Sequence, residues 1–164
     1  LDINTPKGRE SVAQEQRLLR SLRKQYATKG IDIQFSETNK TLPVPLDGVM
    51  TIDGEITGVY EVKCRNMNHD KLKNAYNNET LLTYDKLCAG VSVSEKLMVP
   101  FYCIVFLVDE PIGLVIQITD LKGQIIVKTK IDRTKTPASV NGGSAVRTNA
   151  YIDMSTAQSF PILD

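Results

Sequence analysis

The sequence of 164 residues predicts a layered α/β domain of the α+β kind, with a mixed central β-sheet flanked by helices. Three observations carry that expectation. Residues 7–29 repeat apolar side chains at helical spacing. Residues 47–64 alternate on both sides of Asp53-Gly54, the strongest short-range hairpin signal. Residues 98–108 form a continuous apolar run, rich in β-branched and aromatic types, that suits a strand buried on both faces.

In chain order, Thr5-Pro6 supplies an N-cap and a first helical residue. Val12, Leu18, Leu19, Leu22 and Tyr26 then make an apolar stripe that ends before Gly30. Glu15 lies on that stripe, three residues after Val12 and four before Leu19. A carboxylate there is paired, protonated or metal-bound, or else reaches solvent at the stripe's edge. Glu10 is more peripheral. Ile31 to Phe35 alternates as a strand, Ser36 to Pro45 is a polar loop, and the hairpin follows. Residues 69–89 read as a second helix stopped by Gly90. Met98–Val108 and Leu114–Thr119 read as strands, Gln124–Ile131 as a further strand, Ser139–Ala150 as a loop and Ser155–Phe160 as a short helix. One domain is expected over 1–164, with a core at about 7–120 and a basic strand and tail over 121–164.

The apolar fraction is 41% and the charged fraction 24%, the balance of a soluble globular chain. No apolar run reaches the roughly 18 residues of a membrane span. The first thirty residues are polar and basic, unlike a secretory leader, and Leu1 in place of Met fits a processed start. Cys64, Cys88 and Cys103 form no CxxC pair, which points to free thiols in a reducing, cytoplasmic compartment. Residues 1–29 carry seven basic against three acidic groups and residues 121–150 six against one, around a middle of seven against thirteen. Basic flanks around an acidic centre suit a polyanion that approaches bound metal, although solvated helix faces give the same count.

The chemistry gathers on the hairpin. Asp47 stands at its entry and Glu61-Val62-Lys63 at its exit. In a strand Glu61 and Lys63 share a face and Val62 takes the other. Mg²⁺ prefers one or two carboxylates plus waters and phosphate oxygens. A lysine two residues from a ligating glutamate can orient an attacking water or neutralise transition-state charge. A strict two-residue turn at 53–54, however, pairs Asp47 with Tyr60 and sends Asp47 and Glu61 to opposite faces. The shared site therefore requires an irregularity between residues 53 and 58, with Gly58 well placed for a β-bulge.

Asp47, thirteen residues and then Glu61-Val62-Lys63 resembles the signature of the PD-(D/E)XK nuclease superfamily, with Leu46 where the named pattern has proline. The resemblance extends to the basic helix with Glu15, the lead-in strand and a helix after the ExK strand. It is most similar to the Holliday-junction-resolvase-like branch. It implies a restriction-endonuclease-like core, Mg²⁺ (with Mn²⁺ as a substitute) on Asp47, Glu61 and the Val62 carbonyl, Lys63 as catalytic residue, and Glu15 as an extra ligand. It also implies DNA, duplex or branched, as substrate, 5′-phosphate and 3′-hydroxyl products, and a homodimer. Arg65, Lys130, Arg133, Lys135 and Arg147 are candidate phosphate contacts. His69, the single histidine, is a candidate base or an exposed residue at a helix start. The expected function is a Mg²⁺-dependent DNA endonuclease, a junction resolvase first and a phage- or restriction-type nuclease second. The rivals are a catalytically silent nucleic-acid-binding domain on the same fold and a protein-binding module.

Overall fold

The computed structural model describes residues 5–39, 45–136 and 145–163. Its elements, in order, are α1 (Pro6–Ala27), β1 (Ile33–Glu37), β2 (Gly48–Ile52), β3 (Glu55–Arg65), α2 (His69–Ala75), β4 (Glu79–Thr83) and α3 (Tyr84–Leu97). They continue with β5 (Phe101–Leu107), β6 (Ile112–Gln117), β7 (Thr129–Thr136), β8 (Ala145–Asp153) and β9 (Gln158–Pro161). A six-stranded sheet runs β1-β2-β3-β5-β6-β9, and a three-stranded one runs β4-β8-β7. In the large sheet β3 and β5 are parallel and the other neighbours antiparallel, so it is mixed, as the sequence predicts.

Period-two alternation divides the core. Leu18, Leu19 and Leu22 of α1 pack on Tyr60, Val62, Ile104 and Phe106. Val59, Phe101, Cys103, Val105 and Leu107 point the other way, toward Leu82, Leu87, Ala150 and Ile152 of the second layer. A parallel β3–β5 pair needs a long crossover, and α2, β4 and α3 are that crossover. It therefore lies over the face of β3 that carries Glu61. α1 begins as expected: the Thr5 hydroxyl accepts from the Gly8 N–H at 3.0 Å, and Pro6 is the first helical residue.

Four expectations are corrected. The helix expected over 69–89 is two helices and a strand. α2 stops at Ala75, and Asn77 and Asn78 both adopt left-handed backbone (φ 53° and 60°), which asparagine tolerates better than most residues. Residues 79–83 then pair with β8. Gly90 does not end a helix. It lies inside α3, where a Cβ would collide with the Phe101 ring. The strand expected at 124–131 starts only at Thr129, because its first part turns back through a single bridge between Thr119 and Ile125. The loop expected at 139–150 is strand β8 from Ala145 onward, while Asn141-Gly142-Gly143 lie outside the described residues, as do residues 40–44 before the hairpin. The final helix expected at 155–160 is instead β9, an added strand on β6. Phe160 packs where Gly113 has no side chain. The C-terminal stretch is thus woven into both sheets. Among the described residues no helix is long and apolar enough to cross a membrane.

Candidate active site

The bulge that the hairpin chemistry requires is present. Ile52 faces Glu55 and Thr51 faces Ile56, but Met50 faces Gly58, which leaves Thr57 as the extra residue on β3. The Thr57 hydroxyl turns back on the Met50 carbonyl at 3.4 Å. From there Val49 faces Val59 and Gly48 faces Tyr60, so the next position brings Asp47 beside Glu61. Thirteen intervening residues is an odd number, and a two-residue turn accommodates an odd number only with a bulge. Gly48 is needed at the crossing, since a Cβ there would collide with the Ser36 carbonyl and the Tyr60 hydroxyl.

β2 ends here while β3 continues to Arg65, so among the described residues the edge of β3 beyond Asp47 has no paired strand. The Asp47 N–H donates to the Tyr60 carbonyl at 3.2 Å, and the Val62 N–H donates to Asp47 Oδ2 at 2.8 Å. Tyr60 and Val62 therefore present their backbone groups toward β2, and the Val62 carbonyl points to the same edge as the Asp47 carboxylate. That N–H bond fixes the carboxylate's orientation.

Glu61 is 1% exposed and so must be paired. Lys63 Nζ donates to its Oε1 at 2.6 Å, and Lys86 Nζ donates to its Oε2 at 3.0 Å. The two lysine side chains keep 22% and 25% of their surface, so a phosphate can still reach them. Two carboxylates and two ammoniums sum to zero. A divalent cation added at this edge would leave a net positive site, the sign that a phosphodiester requires.

Lys86 was missed by sequence reasoning because β4 was hidden inside an assumed helix. The usable signal was Gly90, one turn later on the same face and packed on Phe101. Replacing Lys86 with Ala leaves one buried carboxylate oxygen without its charged donor. We expect a loss of about 1–3 kcal/mol in urea unfolding.

Glu15 is half-buried on α1, on the opposite side of β3 from Glu61. Burial first, and then the Glu15 and Asp47 carboxylates, push the Cys64 thiol up to about 12; Lys63 and Arg65 oppose them. Burial, with Glu37, Asp47 and Glu15, raises Tyr60 as well. Glu15 and Asp47 thus act on the same two groups, one from the helix side and one from the strand edge. Glu10 is exposed. Among the described residues no three His, Cys, Asp or Glu side chains come together closely enough to hold a metal ion. Asp47, Glu61 and the Val62 carbonyl are oxygen donors of the kind that a hard, water-retaining cation such as Mg²⁺ takes.

The candidate phosphate contacts are not gathered. Arg65 leaves β3 on the Glu61 face and is largely interior. Its guanidinium donates to the Leu81 carbonyl at 2.9 Å, and burial lowers its pKa. Lys130, Arg133, Lys135 and Arg147 stand exposed on β7 and β8 of the second sheet. Arg133 pairs with Thr148 and Lys135 with Val146, whereas Lys130 pairs with Tyr151 and Arg147 with Thr134. The register therefore puts two cations on each face of the ribbon. Lys130 is 3.3 Å from Asp132 Oδ2. His69 is the exposed first residue of α2, and its backbone N–H donates to Glu110 at 2.6 Å.

No family model matches the sequence, and no curated protein sequence matches it. Among solved structures the chain is similar to Hjc, a Holliday junction resolvase from the archaeal hyperthermophile Archaeoglobus fulgidus. The TM-score is 0.47 at 16% identity, over 85% of this chain and 88% of that one.

Proposed function

We propose that this chain is a Mg²⁺-dependent DNA endonuclease, with Asp47, Glu61 and Lys63 as its catalytic residues. A four-way junction is its first expected substrate, and two copies act together on two strands. One observation carries the reading: the Thr57 bulge shifts the hairpin register so that its continuation puts Asp47 opposite Glu61, at a strand edge unpaired among the described residues, with Glu61 held between two lysines. Charged groups buried this way cost folding energy, and a catalytic role is the reason to retain them.

Asp47, Glu61 and the Val62 carbonyl would hold the ion, with Mn²⁺ able to substitute. Bound there, it supplies an acidified water and charge neutralisation at phosphorus. Asp47 is held in place by the Val62 N–H. Lys63, within hydrogen-bond reach of Glu61, orients the water and offsets the charge that builds on the phosphoryl oxygens. Lys86 keeps the second Glu61 oxygen fixed, so that carboxylate need not reorganise during the reaction. Glu15 contributes from the helix side as an outer ligand. Arg133 and Lys135 on one face of the ribbon, or Lys130 and Arg147 on the other, would bear on flanking phosphates, and Arg65 on the strand next to the cut. The expected products are 5′-phosphate and 3′-hydroxyl ends.

The test incubates supercoiled plasmid and four-way junction DNA with the protein in Mg²⁺, in Mn²⁺ or in EDTA, alongside Asp47→Asn. Cleavage in either metal, absent in EDTA and lost in the variant while DNA binding persists, supports the reading. Binding without cleavage of any DNA form would make the chain a silent nucleic-acid-binding domain. No salt-dependent DNA affinity at all would leave a protein-binding module.

A further inference from the structure

A cavity of about 600 Å³ opens between α2, the outer edge of β4 and the end of β3. That volume lies in the range of sites that enclose small organic ligands. Met67 and Leu72 form its apolar floor, Tyr76 and Tyr151 supply aromatic walls, and Arg65 and Glu79 supply charged groups. Tyr76 is 47% exposed and so stands at the mouth. Arg65 uses one of its five donors on the Leu81 carbonyl.

The position of the cavity identifies its occupant. Arg65 follows Lys63 by two residues on the same face of β3, roughly 7 Å along the strand. A DNA strand whose phosphate lies against Lys63 thus delivers a neighbouring nucleotide to Arg65 and the cavity mouth. We propose that the cavity receives one unstacked nucleotide of the DNA substrate next to the cut, an inference that rests on the endonuclease reading. Its base stacks on Tyr76, and the Arg65 guanidinium lies against the nucleotide's phosphate or ring. An aromatic wall stacks on any base, so the cavity reads unstacking rather than base identity. It favours branch points, where a base leaves the stack at least cost.

The experiment measures binding of four-way junctions in EDTA, so that no strand is cut. Each junction carries a single abasic site, moved one position at a time through the branch. Wild type, Tyr76→Ala and Ala75→Trp are compared; the last plugs the cavity from an exposed position and leaves the core intact. One abasic position should weaken wild-type binding about tenfold. Each variant should lose a similar factor on intact DNA and nothing further on that abasic junction. Penalties that multiply, or an absence of any sensitive position, would overturn the proposal. Mg²⁺-dependent cleavage of the intact junction is scored separately. Coupling without cleavage sinks the endonuclease reading alone, cleavage without coupling sinks the cavity alone, and no DNA binding sinks both.

Discussion

Lys63→Ala should reduce DNA cleavage by a factor of about 10² to 10³ while leaving DNA affinity within a fewfold of wild type. The ammonium sits 2.6 Å from Glu61 Oε1 and retains part of its surface. In the proposed mechanism it acts on charge that exists only in the transition state, and loss of such a group lowers turnover rather than binding. Lys86 stays on the other oxygen, so Glu61 remains paired and the variant should fold. Single-turnover cleavage together with an anisotropy titration separates the two quantities. A fall in affinity that matches the fall in rate would make Lys63 a phosphate anchor instead.

Glu61→Ala should cost about 3–5 kcal/mol of stability, read from the urea midpoint at constant slope. Its carboxylate is 1% exposed and is the shared acceptor of both ammoniums, so removing it leaves two like charges facing each other in a poorly solvated site. Replacing all three groups at once, with Glu61→Leu, Lys63→Met and Lys86→Met, should restore most of that loss, because no charge is then left unpaired. The triple variant should fold and cut nothing. A charged cluster that is dispensable for folding but required for cleavage is one kept for chemistry.

Much of the site was legible in the sequence, and parity is the clearest reason. Thirteen residues between Asp47 and Glu61 cannot be spanned by a regular two-residue turn, so the spacing itself demanded the bulge, which falls at Thr57 beside the expected Gly58. α1 was legible because its stripe is regular and its Thr5-Pro6 start is unambiguous. The second layer was not legible. Asn77 and Asn78 interrupt a helical pattern only through their left-handed backbone, and residues 79–83 become a strand through pairing with β8, some seventy positions later. Local periodicity carries no trace of such a partner. β7 and β9 are likewise defined by the strands they join rather than by their own composition. Lys86 was lost with β4, and the basic residues of 130–147 looked like one surface because charge counts ignore which face of a strand each side chain takes.

The proposed endonuclease requires that Asp47 and Glu61 together hold a divalent ion at the edge of β3. Titration of the protein with Mn²⁺, followed by electron paramagnetic resonance in the absence of DNA, tests it most directly. Wild type should bind Mn²⁺ saturably, and Asp47→Asn and Glu61→Gln should each weaken that binding by at least about tenfold. Mn²⁺ binding unchanged in both variants would contradict the claim.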